Sequence, residues 1–189
     1  KPLIPHIEGV ETFTGKSFHS ASWDRDYNLS GKRIAVIGSG GSAIQFLPAI
    51  QPKAQKITLF QRTPPWVLPK ADARISDRWR KIFKYFPFTQ RLFRQALYFQ
   101  FEFLNHNLKN KWFSEKLEAA AIKHIKRGVK DDTLRKKLIP DYSLGCKRIL
   151  LSNNWYKALS KDNVDVFPGV VEIQGNKVIA SDGSSCEVD

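Results

Sequence analysis

Methionine is absent from this chain of 189 residues, and cysteine nearly so, with only Cys146 and Cys186. Two thiols are too few for a disulfide scaffold, so a reducing compartment, the cytoplasm, is the expected setting. The sequence also lacks an apolar run of about 18 residues, which excludes a membrane-spanning helix. Its opening, Lys1-Pro2-Leu3-Ile4-Pro5, has no long apolar core of the signal-peptide kind, and without methionine the sequence reads as a fragment. Internal repeats and low-complexity tracts are missing too, and no metal site is expected. Acidic residues are scarce: 18 Asp and Glu stand against 31 Lys and Arg, a formal net charge of +13. Such an excess often marks a polyanion partner, but here the basic residues are spread over residues 74–137 and form no block. A solvated basic face on a helical segment is therefore expected, with no nucleic acid bound. A non-catalytic basic module for nucleic acid or a membrane surface is the rival reading.

What is present is a globular composition, 42% hydrophobic and 26% charged, of a length that buries one core or one domain with an excursion. The chain is organised around residues 31–62. Ile34, Ala35, Val36 and Ile37 form a short apolar run without alternation, as in a strand buried on both faces of a parallel sheet. The run ends in Gly38-Ser39-Gly40-Gly41-Ser42-Ala43, a G-x-G-x-x-A turn ahead of a helical stripe of Ile44, Leu47 and Ile50. Gly38 permits the tight turn, Gly40 lets a pyrophosphate approach the backbone, and Ala43 allows close helix–strand packing. The helix N-terminus then directs free N–H groups at the phosphates. Gly38, Ser39, Gly40, Gly41, Ser42, Ala43 and Gln45 are the candidate cofactor contacts. Pro48 removes a donor, so this helix is expected to kink or stay short.

The next strand, Lys56–Phe60, selects the nucleotide. NAD-binding turns place Asp or Glu at this strand end to accept from the ribose 2′-hydroxyl; here Gln61 and Arg62 stand there. A guanidinium holds a 2′-phosphate with its planar fork of donors, so NADP is expected.

Upstream, residues 13–24 spell F-x-G-x-x-x-H-x-x-x-W-D, from Phe13 and Gly15 through His19 to Trp23 and Asp24. This resembles the fingerprint of Baeyer–Villiger monooxygenases and the allied flavin monooxygenases. As a joint the segment is physically sensible. Gly15 permits a bend or positive φ, Phe13 and Trp23 can anchor in apolar pockets, and His19 has two ring nitrogens with which to tie its flanks together. Two further stretches resemble the same family: Gln61-Arg62-Thr63-Pro64, and Tyr142-Ser143-Leu144-Gly145-Cys146-Lys147-Arg148. The resemblance implies an NADP-binding domain that works with FAD, and it assigns residues to roles. Arg62 and Thr63 take the 2′-phosphate, Lys147 approaches the NADP phosphate, Arg148 reaches the flavin as the catalytic arginine, and His19 couples the motions of the flavin and nicotinamide domains. It further implies that NADPH, FAD and O2 convert a ketone or other hydrophobic small molecule, ketones giving esters or lactones. The near alternative is hydroxylation of nitrogen, sulfur or carbon. The chain contains one glycine fingerprint, so FAD rests on kinship and its domain is a partner within the same protein; the fragment alone should not turn over.

Elsewhere, residues 1–9 read as an extended linker, and Trp66 reads as packing, with an active-site wall as the alternative. Residues 76–83 and 88–108 have helical periodicity and carry a wide aromatic stripe that includes Leu92, Phe99 and Phe103. Burial against other helices is expected; a substrate entrance or peripheral membrane contact is the alternative. A third helix over residues 114–126 should end at Gly128, and its His124 reads as a surface or satisfied histidine. Val170 to Ile173 and Lys177 to Ala180 read as a hairpin across Gln174-Gly175-Asn176, followed by a turn at Ser181-Asp182-Gly183. The expected fold class is α/β: a Rossmann-like parallel sheet with a helical insertion and a small β-hairpin. The expected boundaries are a linker over 1–30, the NADP-binding domain over 31–70 and 140–189, and the insertion over 71–139.

Overall fold

A computed structural model of the chain describes residues 5–189. In chain order its main elements are β1 (Arg33–Ile37), α1 (Ala43–Ile50), β2 (Lys56–Phe60), β3 (Val67–Leu68), α2 (Asp77–Tyr85), α3 (Pro87–Asn107), α4 (Lys111–Gly128) and α5 (Asp132–Leu138). There follow β4 (Leu150–Leu151), α6 (Trp155–Leu159), β5 (Val164–Phe167), β6 (Val170–Gln174), β7 (Lys177–Ala180) and β8 (Ser185–Glu187). The class is mixed α/β. A parallel sheet runs in the order β1-β2-β5, with Arg33 opposite Lys56 and Ile57 opposite Val164.

Burial on both faces falls to β2 and not to β1. Ile57, Thr58, Leu59 and Phe60 are all buried, whereas β1 buries only Val36 and leaves Ile37 46% exposed. The apolar run of β1 was expected to be covered twice. Among the described residues it instead forms a sheet edge, and a short apolar run cannot distinguish an edge from a centre.

The core lies between this sheet and two helices. Ile44, Leu47 and Ile50 of α1 meet Trp155, Tyr156 and Leu159 of α6 over Ile57 and Leu59. Each such side chain contributes about 1.5–3 kcal/mol by leaving water. Pro48 is accommodated because α1 is only eight residues long, so the missing donor falls in its last turn. The other face of the sheet supports the antiparallel meander β6-β7-β8, where Ile173, Val178 and Ala180 pack with Phe60 and Ile7. The expected hairpin thus gains a third strand beyond Gly183, whose φ is +83°. The extended linker expected over residues 1–9 is docked where it is described: Ile7 is buried, and the Ile173 N–H donates to the Glu8 carbonyl at 2.8 Å. Residues 1–4 lie outside the described residues.

The excursion is helical as expected, yet its stripe is not buried. Neither α2 nor α3 buries a residue, and Leu92, Phe99 and Phe103 are 64%, 60% and 65% exposed. Amphipathic periodicity shows that a face needs cover; it does not say which polypeptide supplies it. Here α2 touches α3 through the rings of Trp79, Phe83 and Phe93 and leaves most of the stripe free. No helix among the described residues is long and apolar enough to cross a membrane.

By contrast α4 is seated, with Ala121 and Ile125 buried. His124 is satisfied, its Nε2 lying 2.8 Å from the Ser152 carbonyl oxygen and its ring edge-on to Tyr156. Gly128 is the last residue of α4, but its φ is not positive, so it is no left-handed cap. Its missing side chain makes room for Tyr156, whose Cβ a Gly128 Cβ would overlap. Sequence periodicity does not single out α5, β3 or β4. α5 is capped by Asp131, whose carboxylate accepts from the N–H groups of Thr133 and Leu134, and β3 pairs with β4 in parallel to close the base of the excursion.

Candidate nucleotide-binding site

The glycine turn stands at the C-terminal end of β1, where parallel α/β sheets open their ligand crevice. Gly38 has φ +99°, outside the range of ordinary side chains, and its N–H donates to the Phe60 carbonyl at 2.8 Å. Gly40 has no such conformational need. A Cβ on Gly40, as on Gly38, would meet no atom within 4 Å. Nothing in the protein therefore explains why Gly40 lacks a side chain. In front of the turn the ground is open, so the bare backbone there is accessible to close approach.

That backbone also has donors to spare. The N–H groups of Ser39, Gly40, Gly41, Ser42 and Ala43 find no acceptor among the described residues, and no side chain caps α1. Together with the positive end of the helix dipole they form an anion cradle. Two predicted contacts hold the turn from within. The Gln45 Nε2 donates to the Gly41 carbonyl at 2.9 Å, and the largely buried Ser39 hydroxyl donates to the Thr63 carbonyl at 3.4 Å. Ala43 is buried against the core as its size predicts.

The second strand end adjoins the turn through these bonds. Arg62 is exposed and forms no ion pair or side-chain hydrogen bond among the described residues. Gln61, named with Arg62 at this strand end, turns out to have a structural role that the sequence does not assign to it. It is 5% exposed, its N–H donates to the Phe167 carbonyl at 3.0 Å, and its side-chain amide donates to the Lys137 carbonyl at 2.9 Å. A polar residue closing an apolar strand was the available signal.

A cavity of about 560 Å³ runs along the free edge of β1 and brings His19 together with Gly38, Gly40, Gly41, Ser42 and Ala43. Beyond the turn its walls mix apolar side chains, including Ile34, Phe46 and Val178, with charged ones, including Lys16, Arg33 and Asp189. His19 is half-buried, and its Nδ1 accepts from the Ala21 N–H at 3.0 Å. In the neutral ring this places the proton on Nε2. The anchors flanking it behave as expected: Phe13 packs on the meander side, and Trp23 lies 5.2 Å, centroid to centroid, from Phe46 of α1. Gly15 serves close approach and not positive φ, since its Cβ would fall 2.5 Å from the Phe13 ring. Lys16 and Asp24 bridge the segment at 2.9 Å.

Lys147 and Arg148 do not line that cavity. Both are exposed; the Lys147 ammonium sits 4.5 Å from the centre of the Tyr142 ring, and Arg148 forms no ion pair among the described residues. Burial raises the Tyr142 hydroxyl pKa, and its O–H donates to the Pro64 carbonyl at 3.2 Å. Trp66 packs, buried, with its indole N–H on the Tyr142 carbonyl at 2.8 Å. Leu150, two residues beyond Arg148, lies 3.8 Å from where a Gly41 Cβ would stand, so this loop ends against the glycine turn. Cys146 is a free, exposed thiol, and the described residues contain no cluster of three or more metal-ligating side chains.

A family model described as flavin-binding monooxygenase-like matches residues 2–188. The chain belongs to this family. Flavin-binding monooxygenase-like relatives include a Baeyer–Villiger monooxygenase of Pseudomonas aeruginosa, 45% identical over 193 residues, and one of Streptomyces coelicolor, 46% identical over 193 residues. Both matches cover 100% of this chain but only 36% and 37% of those proteins, so the chain spans about a third of their length. Among solved structures, OTEMO in complex with FAD and NADP is similar with a TM-score of 0.79 at 24% identity, over 100% of this chain and 44% of that one. Cyclohexanone monooxygenase from Rhodococcus sp. Phi1 bound to NADP+ is similar with a TM-score of 0.83 at 21% identity, over 100% of this chain and 43% of that one. These two likenesses establish the fold.

Proposed function

We propose that this chain is the NADP-binding part of an FAD- and NADPH-dependent monooxygenase that carries out Baeyer–Villiger oxidation, converting a ketone to an ester or lactone with O2. Gly40 carries the reading: a glycine with an ordinary φ, facing open ground beside unsatisfied N–H groups, fits a diphosphate and nothing in the protein itself. The unpaired Arg62 guanidinium at the adjoining strand end fits the extra phosphate of NADP. The names of the two relatives at 45% and 46% identity support the oxidation chemistry, and the FAD and NADP of the solved neighbours support the cofactor pair.

When bound, NADPH supplies the hydride and flavin the means of activating O2. This chain's residues bind and orient. The turn N–H groups and the α1 terminus hold the pyrophosphate, Arg62 and Thr63 hold the 2′-phosphate, and Lys147 adds positive charge nearby. Arg148, permanently protonated, offers a charged donor where negative charge develops. His19 anchors the linker through Nδ1 and lines the cavity shared with the glycine turn.

Calorimetric titration tests the reading. NADP+ should bind more tightly than NAD+, and Arg62→Ala should remove that preference. Product analysis of the intact enzyme should show esters or lactones from ketones; sulfoxides or N-oxides in their place would assign it to the heteroatom branch.

A further inference from the structure

The structure assigns a positioning role to Gly169, at the corner between β5 and β6: its bare backbone is the bed on which Arg62 lies. This rests on the reading of Arg62 as the 2′-phosphate ligand and adds what aims it. A Cβ built on Gly169 would stand 2.5 Å from Cγ of Arg62, 3.4 Å from its Cδ and 3.7 Å from its Cβ. Those atoms are the root of the side chain and not its flexible end, so a small rotation near the guanidinium would not relieve the overlap. The φ of Gly169 is not positive. Glycine is needed there for space and not for backbone conformation.

Neither backbone can retreat. The Gly169 carbonyl accepts from the Ser181 N–H at 2.9 Å, and Phe167, two residues earlier, accepts from the Gln61 N–H at 3.0 Å. Pro168 between them has its φ restrained by its ring. The two strand ends are thus bonded together at the residue before Arg62, with Arg62 drawn across the β5–β6 corner. A methyl group at position 169 would be met by rotation of the Arg62 stem, which swings the guanidinium through the full length of the side chain. Because the charge sits on that lever, a change outside the glycine turn would alter the choice between NADP and NAD while leaving the pyrophosphate cradle intact.

The experiment uses Gly169→Ala, Arg62→Ala and the double variant in the intact protein, titrated calorimetrically with NADP+ and NAD+ and melted without ligand. Gly169→Ala should weaken NADP+ binding roughly ten- to a hundredfold, as expected for loss of a charged hydrogen bond, and leave NAD+ affinity unchanged. In the Arg62→Ala background it should cause no further loss. If Gly169→Ala folds poorly, the double variant, which lacks the Arg62 Cγ, should recover the melting temperature of Arg62→Ala. The inference is overturned if Arg62→Ala abolishes the NADP+ preference while Gly169→Ala keeps it, or if NADP+ and NAD+ weaken equally in Gly169→Ala. Should Arg62→Ala itself leave the preference intact, the reading of the 2′-phosphate site fails first.

Discussion

The Gly38 N–H donates to the Phe60 carbonyl at 2.8 Å, tying the glycine turn to the end of the neighbouring strand. The cradle and the Arg62 strand end therefore hold a common position. Substituting Gly38 and Gly40 of the turn should separate stability from binding. Gly38→Ala forces a side chain into φ +99° and should cost roughly 1–3 kcal/mol of stability. Gly40→Ala places its methyl in open ground, so stability should stay within about 0.5 kcal/mol. NADP+ affinity should still fall on the order of tenfold or more as phosphate contacts lengthen. Thermal melts and titrations of both variants would decide; equal loss of stability in both would show that Gly40 is needed by the fold.

Arg148 is exposed and forms no ion pair among the described residues, so removing it should not disturb folding. In the intact enzyme Arg148→Ala should lower the oxygenation rate by roughly a hundredfold or more, the scale of losing one charged stabilising donor, while NADPH binding changes little. Rapid mixing with NADPH, followed by assay of oxygenated product, separates the two. Product at the normal rate would remove Arg148 from the machinery.

Gly128→Ala should destabilise the protein, although alanine is the better helix former. Propensity alone favours the change by about 1 kcal/mol. The added methyl would overlap Tyr156 Cβ, an atom held by the buried α6, and overpacking of this kind costs about 1–3 kcal/mol. Denaturant midpoints measure the balance, and a raised midpoint would show that α4 and α6 can shift apart.

The Lys16–Asp24 pair gives the linker a pH dependence. The hydrogen bond from Lys16 holds the Asp24 carboxyl below its ordinary pKa of 3.8. A carboxyl depressed on folding contributes its stabilisation above the ordinary value and loses it as pH falls through the lowered one. Lys16, raised above 10.5 chiefly by the same hydrogen bond, contributes below that value and loses its part as pH climbs past the raised one. Protection of the Asp26 amide from exchange, relative to its intrinsic rate at each pH, should be level between these limits, and it should fall below pH 3.8 because its N–H donates to Asp24 at 3.1 Å. Asp24→Asn keeps the acceptor but not the charge, and should flatten the acid limb.

Local chemistry in the sequence was enough to determine the strand–turn–helix–strand unit, the roles of Gly38 and Ala43, the basic strand end at Arg62, the anchoring of Phe13 and Trp23, and the β6–β7 hairpin. Each depends on residues near one another in the chain, where periodicity and backbone stereochemistry act directly. Only the tertiary structure decided that β2 and not β1 is covered on both faces, that the aromatic stripe of α3 stands uncovered among the described residues, and that Gly128 and Gly169 are glycines because Tyr156 and Arg62 need their space. Those outcomes turn on which surfaces meet across 28 residues in one case and 107 in the other, and steric contact at that range leaves no periodic trace in the residues that make it.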